Sequence, residues 1–250
     1  MLPDKPMVPS SAITPLIEKM ARRDAISPAE REALATLLGP VRAVAAGKLL
    51  IEPGDRPSFS TFLVSGLCAR FSLTPNGGRQ LTEINVPGDF VDLHSMLMRQ
   101  MDHGVMALAD CVIAPAAHDD LRRLTETAAH LTRLLWLETV VDGAIHRQWL
   151  VTMGQQNAAS RLAHLICELY CRLEAAALAS DQRFGLPITQ ADLGDVLGLT
   201  QVHVNRVLME LRRQGLLEWK AGQVTIKDWP GLVRLGAFDP TYLRLHRDAV

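Results

Sequence analysis

Hydrophobic positions follow three successive rhythms along the chain. From residue 59 to residue 86 they fall in short runs: FSTFLVSG, LCARFSL and RQLTEINV read as strands, with TPNGG a hairpin turn. Within LCARFSL, Leu67, Ala69, Phe71 and Leu73 alternate with Cys68, Arg70 and Ser72, which predicts one buried face. IEPGD at 51–55 and NVPGD at 85–89 repeat a Pro-Gly-Asp turn. Short strands at such spacing predict a small β-barrel or sandwich.

The period changes between Asp119 and Gly154, a stretch free of proline. Leu131, Leu134, Leu137, Val141, Ala144, Gln148 and Val151 recur at threes and fours, and Leu135, Trp136, Val140, Ile145 and Trp149 add apolar surface on neighbouring faces. This pattern predicts one long helix over 119–156. A helix apolar on several sides can bury one side on its own β-domain and another on a partner helix, so a homodimer is expected; the alternative is burial within one monomer.

The third rhythm, TQADLGDVLGLTQVHVNRVLMELRR at 189–213, has the spacing of a helix-turn-helix. Counting Gln190 as position one, Gly194 is fifth, Gly198 ninth and Val204 fifteenth. Two steeply crossing helices need a tiny residue where backbones touch, a turn glycine, and a buried β-branched residue at those places. Leu193, Leu197, Leu199 and Val207 supply the apolar face. Thr189, with Asp192 three residues on, resembles a capping box, and Thr200 is placed to cap the second helix. GLLEWKAGQVTIKD then reads as two short strands around Ala221-Gly222, a wing. The combination points to DNA.

A net charge of −1 looks wrong for that partner until it is divided by segment. From Arg183 to Arg234 the excess of bases is small, but Arg206, Arg212, Arg213 and Lys220 lie on the second helix or just after it, where phosphates would pass. Cys68, Cys111, Cys167 and Cys171 are scattered without a CxxC, so reduced thiols are expected rather than a disulfide framework or zinc finger. No uncharged apolar run approaches the roughly 18 residues of a membrane span, and MLPDKPMVPS lacks the features of a signal peptide. A cytoplasmic protein is expected.

These segments resemble the Crp/Fnr family of transcription regulators over roughly residues 30 to 230. The resemblance rests on GKLLIEPGD, the turn PGDF, the junction GQQNAASRLAHLICEL and the head DLGDVLGLTQVHVNRVLMELRRQGLL. It implies an α+β chain: a helical lead-in (1–40), a double-stranded, jelly-roll-like β-roll (41–118), a long dimerisation helix (119–156), a winged helix-turn-helix (157–234) and a tail (235–250). The implied partners are double-stranded DNA with paired half-sites, a second copy through the 119–156 helix, and RNA polymerase; no membrane is implied. Base-reading roles fall on Gln201, Val202, Asn205 and Arg206, with His203 beside them. Arg206 matches the arginine that forks onto guanine. Many members carry glutamate where Val202 stands, so the half-site should differ from theirs. Thr189, Thr200, Arg212, Arg213 and Lys220 are the candidates for phosphate.

The sensor segment GDFVDLHSMLMRQMDHGVMAL departs from the cyclic-nucleotide-binding branch. Leu93 replaces a ribose-binding glutamate, and Met101-Asp102 replace the arginine and serine that hold the cyclic phosphate, although Arg99 could reach the pocket. Cyclic AMP is therefore not expected by the usual contacts. The N-terminal cysteine cluster of the iron-sulfur branch is absent too, since the first cysteine is Cys68. His94 aligns with the haem-ligating histidine of the carbon-monoxide sensors, with Asp92 in place of their cysteine. Three readings stay open for Asp92, His94, Arg99 and His103: structural packing, haem through His94, or another ligand or metal, Asp102 included. Rivals are a metal-dependent enzyme using Asp92, His94, Asp102, His103 and His118, for which no HExxH or GxSxG signature is present, and a roll that only docks partners. Beyond the wing, Phe238, Tyr242 and Leu243 are able to dock.

Overall fold

A computed structural model describes residues 10–98 and 100–245. Two short helices, α1 (Thr14–Arg23) and α2 (Pro28–Leu37), precede the first strand. Seven strands follow: β1 (Arg42–Val44), β2 (Leu49–Ile51), β3 (Phe59–Ser65), β4 (Cys68–Leu73), β5 (Arg79–Asn85), β6 (Gly104–Ala107) and β7 (Cys111–Ala117). They pair antiparallel in two sheets, ordered β1-β7-β3 and β2-β6-β4-β5. Ile51, Leu63, Val91, Met101, Val105 and Ile113 fill the space between them.

The strand LCARFSL departs from its expected single buried face. Cys68 and Arg70 point into the roll and are as buried as Ala69 and Phe71 on the other side, while Leu73 is 59% exposed. Helices cover the outer face of this sheet, so alternation of polar and apolar residues does not separate solvent from core. Phe71, Leu81 and Ile84 belong to one continuous apolar cluster with Val141, Ile145 and Trp149 and, further on, Leu193 and Val204.

The expected single helix over 119–156 is two: α3 (His118–Thr127) and α4 (Ala129–Gln155). Thr125 and Thr127 turn their hydroxyls back onto the carbonyls of Arg122 and Arg123, and Ala128 leaves the helical conformation with φ −126° and ψ 75°. Such back-bonding competes with a regular helix. His130, at the start of α4, is held by Glu30 at 2.5 Å and Asp24 at 3.3 Å. From there α4 buries Leu131, Leu134, Leu135, Val141, Ile145, Trp149 and Thr152 and leaves Trp136, Val140, Leu150 and Val151 exposed. α4 thus has an inward and an outward apolar side, but they cut across the two series read in the sequence: Val151 of the first is exposed, and Trp136 and Val140 of the second are exposed beside its buried Leu135, Ile145 and Trp149.

α5 (Ala158–Ala175) leads into a three-stranded sheet of β8 (Arg183–Gly185), β9 (Leu217–Lys220) and β10 (Gln223–Ile226), ordered β8-β10-β9. α6 (Gln190–Leu197) and α7 (Gln201–Arg213) are inserted between β8 and β9, and α8 (Trp229–Gly236) follows the wing. The tail docks: Phe238 and Leu243 are buried, and the Tyr242 hydroxyl donates to Glu168 at 2.7 Å.

A chain of buried charges ties these parts together. Lys19 of α1 contacts Asp89 of the second Pro-Gly-Asp turn at 2.6 Å and Glu138 of α4 at 2.9 Å, and Arg23 joins Glu138. Arg172 of α5 reaches Asp89 at 2.9 Å, Glu168 at 3.2 Å and Glu83 at 3.8 Å. Arg70 of β4 binds Glu83 at 2.6 Å and Asp142 of α4 at 2.9 Å. The cations Lys19, Arg23, Arg70 and Arg172 thus face one more carboxylate than their own number: Glu83, Asp89, Glu138, Asp142 and Glu168. An uncompensated buried charge is strongly disfavoured, so the surplus is met by a retained proton. Burial raises the carboxyls of Glu83, to about 8, and of Asp142, which share Arg70. His146, 3.4 Å from Glu83, is pushed down to about 4 by burial and the nearby Arg70, and is neutral at pH 7.

A carboxyl whose folded value exceeds its unfolded one contributes stability that is complete below the unfolded value and lost as pH rises through the folded one. For Glu83 that window runs from 4.5 to about 8. Calorimetry should therefore show Tm falling between pH 5 and pH 8, with a smaller fall in Glu83→Gln. An equal slope in the variant would move the proton elsewhere.

Candidate nucleic-acid interface

The helix pair is built as its spacing requires. A Cβ on Gly194 would stand 2.6 Å from the carbonyl oxygen of Leu199, so any side chain there forces α6 and the turn apart. Gly198 closes α6 in the left-handed region at φ +64°, and Val204 is wholly buried beneath the pair. Thr189 accepts the Asp192 amide at 3.0 Å while the Asp192 carboxylate accepts the Thr189 amide and hydroxyl. Thr200 caps α7 by accepting the His203 amide at 3.3 Å. The hydroxyls of both threonine phosphate candidates therefore already serve helix starts.

With Val204, Val207 and Leu211 turned inward, α7 presents Gln201, Val202, Asn205 and Arg206 to solvent, Val202 being 82% exposed. Among the described residues neither the Asn205 nor the Arg206 side chain makes a hydrogen bond or ion pair, which leaves Arg206's fork of donors free. Gln190 and Met209 join these four in one concave surface, together with Glu210 and Arg213. Met209 was missed in the sequence, although it stands two turns beyond Val202 and is 64% exposed. His203 is half-buried and lies off this surface. Arg212 lies along the neighbouring groove towards the wing and donates to the carbonyl of Trp219 at 3.3 Å. Arg213 and Lys220 are exposed at the end of α7 and at the wing turn.

The head is also gripped from behind by the roll, a contact with no local sequence signal. Arg79 of β5 binds Asp192 at 2.9 Å and Asp195 at 2.7 Å, and Gln80 donates to the carbonyl of Val196 at 3.1 Å. Arg161 of α5 donates to the carbonyl of Leu197 at 3.1 Å. Unlike the junction charges, Arg79 is part-exposed.

In the sensor segment, Asp92 is fully buried and accepts the Thr61 amide at 2.5 Å; burial raises its carboxyl to about 6, and its second oxygen has no partner. His94 is pushed down to about 3 by burial and by Arg70, so its ring is neutral at pH 7. Its ring centroid is 5.1 Å from that of His103, which pairs with Asp102 through Nδ1 at 2.6 Å. Nε2 of both rings is buried without a partner. His118 is separate, bonded to Ser95 at 3.0 Å. Among the described residues no three His, Cys, Asp or Glu side chains are arranged to hold a metal ion, so the five-residue cluster of the enzyme reading is not assembled. Arg99 lies outside the described residues. Leu93 and Met101 are buried apolar side chains, and Asp102 brings a carboxylate, so the described residues do not fit a cyclic phosphate and its ribose.

A two-sheet roll joined by a long helix to a winged helix defines a DNA-reading head on a sensor-like body. The profile of the "Crp-like helix-turn-helix domain" family matches residues 160–235, and that of the "Cyclic nucleotide-binding domain" family matches residues 41–128. The chain is 27% identical over 212 residues to the "Transcriptional activator protein FnrA" of Stutzerimonas stutzeri, covering 84% of this chain and 86% of that one. It is 24% identical over 220 residues to the "Anaerobic regulatory protein" of Pasteurella multocida (strain Pm70), covering 86% and 79%. Among solved structures, FixK2 from Bradyrhizobium japonicum matches with a TM-score of 0.71 at 23% identity, over 78% of this chain and 96% of that one. A CooA mutant from Carboxydothermus hydrogenoformans matches at 0.63 and 15%, over 87% and 99%. The chain belongs to the Crp/Fnr family of transcription regulators.

Because the Gly194 contact is to backbone, it cannot be relieved by a rotamer change. Gly194→Ala should destabilise the chain by about 1–3 kcal/mol in urea unfolding, the usual effect of overpacking. A midpoint unchanged from the parent would mean that the pair crosses less closely.

Proposed function

We propose that the protein is a homodimeric, sequence-specific transcription regulator that reads paired half-sites with α7 and receives its signal in the β-roll. One observation carries this reading: α7 buries Val204, Val207 and Leu211 and leaves Gln201, Val202, Asn205 and Arg206 on one open surface. Arg206 meets O6 and N7 of a guanine, Asn205 and Gln201 contact neighbouring bases or phosphates, and Val202 meets an apolar edge such as a thymine methyl. Arg212, Arg213 and Lys220 hold phosphates, and Thr189 and Thr200 fix the helix starts beside them. His203 is the weakest base-reading candidate, since it is half-buried at the margin.

The dimer reading rests on the outward side of α4. Trp136, Val140, Gly143, Arg147, Leu150 and Gly154 succeed one another at fours and threes, the spacing of a two-helix seam. Two copies joined there would carry their heads to major grooves about one helical turn, roughly 34 Å, apart. Several relatives carry "activator" in their names, and on that likeness RNA polymerase is the protein partner on DNA. Action in the cytoplasm follows from the same reading; no helix of the described residues is long and apolar enough to cross a membrane. A second reading, in which the signal is a haem or metal ion bound through His94, is favoured by the unpartnered Nε2 of that ring. A Soret band or stoichiometric metal in the purified protein tests it.

Selection of duplexes from a random library should return an inverted repeat containing guanine. On the selected site, Arg206→Ala should cost about 1–3 kcal/mol and relax preference at one base pair, whereas Lys220→Ala should weaken all sequences alike and lower the salt slope by about one. Equal loss on random DNA would remove Arg206 from base reading. In sedimentation, Leu150→Glu should shift the parent dimer to monomer; a dimer retained at micromolar concentration would place the seam elsewhere.

A further inference from the structure

Two of the chain's cysteines meet inside the roll. Cys68 opens β4 in one sheet and Cys111 opens β7 in the other, 43 residues away in sequence, and their sulfurs lie 3.7 Å apart. Cys68 is 0% and Cys111 3% exposed, both among the apolar side chains of the roll interior. A disulfide needs a sulfur separation of about 2.05 Å, so closure asks for roughly 1.7 Å of approach, within reach of side-chain rotation and a small strand shift. The register of β7 against β3 already slips between Leu63 and Ser65, which face Ile113 and Val112 beside Cys111. The extra residue gives this end of the strand a local bend beside Cys111.

The two thiols are unlike. The hydrogen bond between them pushes Cys68 far up, together with burial, and holds Cys111 below its ordinary value, while Cys111 also faces the carbonyls of Leu67 and Ala109 at 3.2 and 3.0 Å. Cys111, the more exposed of the two at the strand end, meets the oxidant first, and Cys68 is the resolving thiol.

We propose that Cys68 and Cys111 form a dithiol that hydrogen peroxide converts to a disulfide stapling the two sheets of the roll. The Cys111 thiolate attacks one peroxide oxygen and the O–O bond breaks. The other oxygen leaves as hydroxide, takes the proton Cys111 released and becomes water, and Cys111 is left as a sulfenic acid. The Cys68 sulfur then attacks that sulfur, the S–O bond breaks, and the hydroxyl departs with the Cys68 proton as a second water. Two electrons pass from the two sulfurs to the peroxide. Peroxide is small and uncharged, so it reaches a buried strand end through local fraying.

Closure acts on the charged junction. Arg70 lies two residues beyond Cys68 on the same inward face of β4, and its guanidinium holds Asp142 of α4 at 2.9 Å. Drawing the start of β4 towards β7 displaces the base of that side chain. Cys167 and Cys171, one turn apart on α5, serve as an internal control, because burial pushes both up, Cys171 to about 12.

The test uses the full chain, fully reduced, exposed to hydrogen peroxide, unfolded in urea, blocked there with N-ethylmaleimide and digested without reductant. Mass spectrometry should find a Cys68–Cys111 cross-linked peptide, an intact mass lower by two hydrogens before blocking, and full reversal by dithiothreitol, with Cys167 and Cys171 carrying the label. Cys68→Ser, which keeps the side-chain volume, should leave a sulfenic acid on Cys111 that dimedone captures, and Cys111→Ser should give neither product. The proposal is overturned if Cys68 and Cys111 both take up the label after a peroxide dose that oxidises the urea-unfolded chain. A cross-link joining any other pair overturns it equally. Neither result bears on DNA reading, which the selected duplex measures separately.

Discussion

Charges taken out of water at the junction of roll, α4 and α5 must stay paired, and the rest of the architecture depends on that requirement. Lys19, Arg70 and Arg172 each contact carboxylates from more than one element, and Asp89 is shared by Lys19 and Arg172. Removing one partner of such a pair costs about 3–5 kcal/mol, far more than the pair contributes over a well-packed apolar replacement. The network is therefore weak evidence for stability and strong evidence for specificity. α1, the Asp89 turn, α4 and α5 cannot slide independently, because each small displacement strands a buried ion.

The contrast with the Arg79 clamp locates where the molecule can yield. Its side chain is 29% exposed, and exposed ion pairs contribute about 0–1 kcal/mol and weaken with salt. A stiff body of roll, α4 and α5 thus carries a head held by a continuous apolar cluster, with the part-exposed Arg79 clamp at its edge. A signal that reaches Arg70 or Asp142 would be passed on through α4 and α5 as a shift of rigid elements. The head can answer by releasing or tightening the clamp.

Local chemistry was legible in the sequence and long-range chemistry was not. Gly194, Gly198 and Val204 announced the helix pair because its steric demands act over fifteen residues, and the capping box at Thr189 and Asp192 spans three. That α4 is apolar on more than one side was also visible, but which residues face inward was not, because Leu135, Ile145 and Trp149 share their sequence series with the exposed Trp136 and Val140. The break at Ala128 escaped because no proline or glycine marks it; Thr125 and Thr127 bond back to carbonyls beside it. The second buried face of β4 escaped for a different reason. Arg70 reads as a solvent residue unless Glu83 and Asp142 are known to stand opposite, and Asp142 is 72 residues away. In the sensor segment, His94 and His103 were recognisable as neighbours in sequence, but only the structure separates them from His118 and from a metal-binding arrangement.

The reading surface of α7 limits what kind of site the head can prefer. Val202 and Met209 lie two turns apart on the exposed side, flanked by Asn205 and Arg206, so apolar and polar contacts run side by side along the helix. A carboxylate at position 202 would accept from a cytosine amine, and next to Arg206 it would also hold the guanidinium in place. Valine does neither. On the proposed reading, Arg206 is then oriented by the DNA itself, with its fork ordered only when a guanine is present. Ordering a long side chain on binding carries an entropic cost that a preformed pair avoids. Discrimination at that base pair should accordingly lie towards the low end of the usual 1–3 kcal/mol. On that reading the balance of affinity shifts to the apolar contacts and to the proposed phosphate contacts of Arg212, Arg213 and Lys220. A head of this kind depends more on correct spacing between two copies than on any single base, which places the burden of specificity on α4 and the charged junction behind it.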